Sequence, residues 1–209
     1  MTIKRFMELR KAQKENRRQT IVEVAEEILT TKGIDAVTIR SVAKAAGLSV
    51  GSIYMYFKNK EELFLCMLLG HLEKLDKAFA SRIQGEDALQ VLKAMANDYK
   101  DYYLACGRHI NVIGYLYEQR NQAGEINPTL LNDLETLLAS VLAKTQVVLE
   151  NPAMAPILKG LEASRAIPVM WSIMTGVAEL TLTSPRGNQS GFDFDRVLDD
   201  TMHILFKKD

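Results

Sequence analysis

The stretch Thr38–Leu63, TIRSVAKAAGLSVGSIYMYFKNKEEL, limits the fold of this chain more than any other. Its Thr38 hydroxyl can take up a free N–H in the opening turn of a helix. Ile39, Val42, Ala43 and Ala46 then recur at the i, i+3, i+4, i+7 spacing of one buried helix face. Gly47 follows, the residue that ends a helix in the left-handed conformation without a Cβ penalty. Leu48 plugs the turn, and Ser49 can cap a second short helix that carries Ile53 and Phe57 inward. Asn59 with Glu62 three residues later predicts a third helix start, a capping box with Asn in the Ser/Thr position. A short glycine-containing turn between two helices is the arrangement in which the second helix enters a DNA major groove.

Thr38, Val42-Ala43, Ala46-Gly47-Leu48-Ser49, Gly51, Ile53-Tyr54, Tyr56-Phe57 and Lys60-Glu61-Glu62-Leu63 stand in one register. Over roughly residues 16–65 this pattern resembles the TetR family of bacterial transcription regulators. Beyond it the chain is similar to the family in length and helical character only. One departure is Ser41, where many members carry an acidic residue; it is expected to weaken one cap. The resemblance implies DNA contacts at Thr38, Ser49, Val50, Gly51, Ser52, Tyr54, Met55, Tyr56 and Lys60. The hydroxyls of Thr38, Ser49 and Tyr56 and the Lys60 ammonium suit phosphate oxygens, which fix register. Val50 and Met55 offer apolar contact to a thymine methyl, and Ser52 and Tyr54 can reach base edges. Gly51 permits backbone to approach backbone. The second helix carries no arginine, so Arg40, outward on the preceding helix, is the candidate for a guanine contact. Tyr54 and Tyr56 could instead simply pack on the surface.

Formal net charge is zero over 209 residues, which alone argues against a nucleic-acid partner. The distribution reverses that. Up to Lys60 there are 12 Lys+Arg against 6 Asp+Glu, and from Glu61 onward 14 against 20. A basic head on an acidic body is expected. The two cysteines, Cys66 and Cys106, lack metal-type spacing and fall in apolar helical patterns, so free buried thiols are expected. No apolar run is long enough to span a membrane, and the basic N-terminus lacks a signal-peptide core, which points to the cytoplasm.

Residues 1–16 are polar and basic. They read either as a solvated extension or frayed arm, or as an arm that adds DNA contacts. A first definite helix with Ile21, Val24, Ala25 and Ile28 on one stripe should end at Lys32-Gly33. After the helix-turn-helix, a long helix from Lys60 to about Ser81 joins head and body. A helix beginning after Gly85 carries Ala88, Leu92, Met95, Ala96, Tyr99, Tyr102, Tyr103 and Cys106. A shorter segment spans roughly 108–120. Asn127-Pro128 opens a strong helix that Asn151-Pro152 stops. Pro168 should kink or divide the segment 153–183. Beyond it the apolar residues go round most of the helix, so one side is expected to meet a partner chain. A last helix follows a loop at 184–191. No stretch alternates with period two, so the fold class is all-α. Residues 1–60 form a helix-turn-helix DNA-binding domain and 61–209 an effector-binding and dimerisation domain.

In the body, tyrosine and histidine tips recur on apolar stripes. A pocket is expected from Met67, His71, Met95, Tyr99, Tyr103, Cys106, His109, Ile113, Tyr117 and Met174, although any one of these taken singly fits an ordinary core better. His71, His109 and His203 have no paired metal spacing, and no nucleophile elbow or phosphate loop is present, so neither an enzyme, a metal nor a cofactor is expected. The resulting expectation is a homodimer, joined through 168–183 and 193–207, that binds a palindromic double-stranded operator as a repressor and is released by a small apolar effector. The alternative is a DNA-binding protein whose body binds another protein.

Overall fold

A computed structural model describes residues 2–85, 87–107, 126–182 and 193–206. The expected helix at 108–120, with His109, Ile113 and Tyr117, and the loop at 184–191 lie outside the described residues. Every regular element among the described residues is helical, and the chain forms two compact units, Met1–Gly70 with Val112–Leu134 and His71–Asn111 with Glu135–Asp209.

The first unit is built on α1 (Thr2–Lys32), α2 (Ile39–Ala45), α3 (Val50–Tyr54) and the start of α4 (Lys60–Arg82). α1 ends at Gly33 (φ 82°), and a 3-10 turn at Ile34–Ala36 leads to α2. The basic residues 2–16 are helical and continuous with the rest of α1. Ile21, Val22, Ala25, Ile28 and Leu29 of α1 pack with Val42, Ala43, Ile53, Phe57, Leu63 and Met67 in one buried cluster. Val42, Ile53 and Phe57 have no accessible surface. Burial of each such side chain is worth about 1.5–3 kcal/mol. Ile39 and Leu48 pack against the same cluster, half-buried.

Thr38 caps α2 through a reciprocal box with Ser41. The Ser41 N–H donates to Thr38 Oγ1 (3.0 Å), and the Thr38 N–H donates to Ser41 Oγ (2.9 Å). Ser41 Oγ lies a further 2.7 Å from the Ala36 carbonyl, to which it can donate. Ser41 thus completes the box with a hydroxyl, without the negative charge that an acid would add at this helix N-terminus. Gly47 adopts φ 66°, and the Leu48 N–H then closes on the Ala43 carbonyl at 2.9 Å.

The start of α4 is tied down by Asn59, whose Oδ1 accepts the Glu62 N–H at 2.8 Å. The Glu62 side chain is only 5% exposed. One carboxylate oxygen accepts the Lys58 N–H (2.9 Å) and the other the Asn127 N–H (3.0 Å). A carboxylate buried this far is sustained by such donors. It fixes the end of the helix-turn-helix to the chain just before Pro128.

The second unit contains the rest of α4, α5 (Ala88–Tyr102), most of α6 (Pro128–Leu149), the short α7 (Ala155–Leu158), α8 (Ala163–Leu182) and α9 (Phe194–Phe206). Asp87 caps α5 by accepting the Leu89 and Gln90 N–H groups. All the residues of the expected α5 stripe are buried, and the helix runs on into a wider π turn at Tyr103–Gly107. Asn127 caps α6 through the Thr129 N–H, and Asn151 caps the 3-10 turn that follows α6. The break in 153–183 falls at Lys159 (φ 48°) and Gly160 (φ 86°), while α8 runs through Pro168. Pro168 sits in the second turn, where its missing N–H costs a single intrahelical bond. Within this unit Arg82 grips Asp98 with two bonds of 3.0 Å, and Lys144 pairs with Asp76 at 2.6 Å.

Candidate nucleic-acid interface and body cavity

α3 has two unlike sides. Ile53, and Phe57 just beyond it, are fully buried, while Val50, Tyr54 and Met55 are 40%, 53% and 73% exposed. Nothing in the described head covers those apolar groups. Ser49 accepts the Ser52 N–H at 3.1 Å, and the two hydroxyls lie 2.8 Å apart, so both sit at the exposed start of α3. Thr38 and Arg40 are exposed at the start of α2, and Ser52 is half-buried. Tyr56 is half-buried, with part of its ring against the core. Lys60 is half-buried, with its ammonium 4.8 Å from the centroid of the Phe64 ring. A Cβ placed on Gly51 would meet nothing nearer than Ser49 Oγ at 3.9 Å. The protein itself therefore does not require glycine there.

The residues expected to form a pocket are not all brought together. Met95, Tyr99 and Met174 line one cavity of about 60 Å³ in the body unit. Its other walls include Phe79 of α4, Ala96 of α5, Leu142 and Thr145 of α6, Ile167, Met170 and Trp171 of α8, and Leu198 and Met202 of α9. Trp171 stands edge-on to Tyr99, their ring centroids 5.2 Å apart. The Tyr99 hydroxyl is 3.0 Å from Thr175 Oγ1. Burial raises the Tyr99 pKa, and the Thr175 bond partly offsets the rise. Among the described residues of the lining there is no Lys, Arg, Asp, Glu or His.

Met67 is fully buried in the core beneath the helix-turn-helix and is not one of the residues of this lining. His71 lines a separate recess of mixed character with Lys74, Leu75, Asp98, Asp101 and Tyr102. Tyr103 is buried and hydrogen-bonded to Glu179. Cys106 is buried and Cys66 half-buried, and neither is in a disulfide. Sequence reasoning passed over Leu142, Thr145, Ile167, Met170 and Met202, which come from elements far apart in the chain. The density of methionine in α8 was the available signal. Among the described residues no cluster of His, Cys, Asp or Glu is placed to hold a metal, and no described helix is long and apolar enough to cross a membrane.

Comparison with known proteins agrees with the helix-turn-helix. The family profile described as bacterial regulatory proteins, tetR family, matches residues 21–67. The fatty acid metabolism regulator protein of Bacillus subtilis strain 168 is 25% identical over 141 residues, 65% of this chain and 73% of that protein. Among solved structures, the TetR family transcriptional regulator PfmR of Thermus thermophilus shares the fold, with TM-score 0.62 and 18% identity over 90% of this chain and 97% of that one. The transcriptional regulator FadR of Bacillus subtilis, solved with stearoyl-CoA, has TM-score 0.57 and 20% identity over 90% of this chain and 97% of that one. The capped α2, the left-handed turn at Gly47 and the exposed α3 all lie in residues 21–67, the segment that matches the tetR family of bacterial regulatory proteins.

Proposed function

We propose that the chain is a homodimeric repressor that reads a palindromic operator with α3 and leaves it when a small apolar effector enters the body. In this reading residues 1–60 hold the DNA and 61–209 the effector and the dimer seam. The observation that carries it is the outward side of α3, where Val50, Tyr54 and Met55 stand exposed on a helix capped at Ser49 and anchored by Ile53. Large apolar groups held rigidly in solvent suit contact with thymine methyls and base edges. Gly51 fits the same reading, since its missing side chain leaves room only for something outside the protein. Thr38, Ser49, Tyr56 and Lys60 serve the phosphates, and Arg40 reaches toward a guanine.

The seam is drawn from α8 and α9, which pack on each other. Val169, Leu180 and Ile204 are 50%, 51% and 77% exposed, an apolar surface that a second copy would cover. Two recognition helices about 34–36 Å apart would then meet successive major grooves.

The described lining of the cavity carries no charged residue, which suits a neutral apolar guest. The stearoyl-CoA of the Bacillus subtilis FadR structure is a useful contrasting probe, because coenzyme A phosphates would find no counter-charge in this lining. About 60 Å³ is far below the ~300–1,000 Å³ of ordinary ligand sites. Met95, Met170, Met174 and Met202 are unbranched and can be displaced by an entering guest. The small volume also favours a second reading, in which the body binds a protein partner and no small molecule.

The test is selection of duplexes from a random pool by the full chain, with sedimentation of the complex. Enrichment of a palindrome bound by two chains is expected. Enrichment of no sequence would defeat the DNA reading. Apolar compounds and stearoyl-CoA are then titrated with and without the selected operator. An effector must bind more weakly to the operator complex, by the same factor by which it weakens DNA binding. If no compound shows that coupling, the protein-partner reading takes its place.

A further inference from the structure

α1 begins long before the core needs it. Its first buried residue is Ile21, so the exposed turns before it serve no packing purpose in the described head. Those turns are not uniform around the helix. Phe6, Arg10, Gln13, Lys14 and Arg17 follow i, i+3, i+4 and i+7 spacings and share one face. The two acidic residues of the same stretch, Glu8 and Glu15, fall about half a turn away at roughly 100° per residue. Glu15 lies 3.7 Å from Arg18, off that face. Arg10, Lys14 and Arg17 make no ion pair with a described residue.

This basic face opens onto the recognition element. Arg10, Gln13, Lys14, Asn16 and Arg17 enclose a polar cleft of about 560 Å³ together with Tyr56, the residue two past the end of α3. Three cations, two amides and a phenol without a carboxylate make a lining for phosphate oxygens. Continuity through Tyr56 places that lining beside the surface proposed to read the major groove.

We propose that the N-terminal turns of α1 are a second DNA-binding element, with Arg10, Lys14 and Arg17 holding the phosphodiester backbone that flanks the base pairs read by α3. This rests on the DNA reading above. It makes the chain's footprint longer than a helix-turn-helix alone requires, and it assigns to a preformed helix contacts that a frayed arm would make only after ordering. Because the helix exists before binding, little conformational entropy is lost on contact.

The experiment uses the full chain and the duplex it selects, in two lengths: one trimmed to the palindrome and one carrying several further base pairs on each side. Binding is measured across salt concentration for the wild-type chain, for Arg10→Ala/Lys14→Ala, and for Lys4→Ala/Lys11→Ala, which removes the same charge away from the cleft face. Each lost phosphate contact should lower the salt slope by about 0.9. The cleft variant is therefore expected to lose about two units of slope per bound chain, and with it the tighter binding of the longer duplex. The control variant should keep both. The proposal is overturned if the cleft variant retains the slope and the length advantage, or if the control loses as much. Failure of the wild-type chain to select any duplex would overturn the DNA reading as well, a result separate from either of these.

Discussion

The core beneath the helix-turn-helix and the cavity of the body unit are both apolar, and they are filled by different residues. In the head, Ile, Val, Leu and Phe interlock, and Val42, Ile53 and Phe57 have no accessible surface. In the body, four methionines, Trp171 and Tyr99 surround space that they do not fill. Branched and aromatic side chains have few rotamers and give one packed arrangement. Methionine is unbranched and adapts. The surface proposed to present Val50, Tyr54 and Met55 to DNA in fixed register would need the first kind of support. A site proposed to admit a guest would need the second.

That contrast is open to direct attack. Phe57→Ala removes a ring from a full core and should cost about 3–5 kcal/mol in urea unfolding. Met174→Ala trims a side chain that is only half-buried and should cost about 1–2 kcal/mol. Equal losses would show the body to be packed as tightly as the head.

The head's density also sets a pH limit. Burial pushes the Cys66 thiol up from its ordinary value near 9 to about 11, with the nearby Arg18 guanidinium partly offsetting the rise. Its sulfur lies 2.9 Å from Arg18 Nη2. An unfolded thiol releases its proton near pH 9 and the folded one near 11, so between these values the unfolded state holds fewer protons. Stability must then fall as pH rises through that window, by about 1.4 kcal/mol for each unit at most. Thermal melts of the wild-type chain and Cys66→Ser at pH 8 and pH 10 would reveal it, with the smaller drop in the serine variant. Parallel losses in both proteins would assign the pH dependence to other groups.

In the body, Ala96 borders the open space and is 7% exposed. Overpacking a filled core costs about 1–3 kcal/mol. Ala96→Leu should cost less than about 1 kcal/mol, because the added carbons enter a void. It should also abolish the response to an effector while operator affinity stays near the wild-type value. A response that survives the substitution would place the effector elsewhere.

How much of this was legible in the sequence follows the same division. Thr38, Gly47 and Ser49 declare themselves because caps and left-handed turns are decided within four residues. The full role of Ser41 was not legible, because it depends on the Ala36 carbonyl and the Thr38 N–H both lying within reach of one hydroxyl. The break at Lys159-Gly160 was hidden because lysine seldom takes a left-handed conformation, while Pro168, the more conspicuous residue, stands inside α8, which runs through it. Met67 and Met95 read alike as apolar helix positions. One joins the head core and the other a cavity wall, and that choice is made by helices distant in sequence. Glu62 showed as a cap, but its bond to the Asn127 N–H spans 65 residues and no local rule reports it.

The smallest effect on stability tests the outward side of α3 most cleanly. Gly51 lies inside α3, is exposed, and has an ordinary helical backbone, since it is not among the positive-φ glycines. An added methyl would meet Ser49 Oγ at 3.9 Å, an ordinary contact. Alanine in a helix is favoured over glycine by up to about 1 kcal/mol, so Gly51→Ala should leave the fold as stable or slightly more so. If DNA backbone or a base edge approaches this position closely, the same methyl must weaken binding to every duplex that the chain selects. Stability and affinity would then move in opposite directions, which a merely structural glycine cannot produce. A Gly51→Ala chain that gains stability and keeps its operator affinity would remove Gly51 from the interface and leave recognition to Val50, Ser52, Tyr54 and Met55.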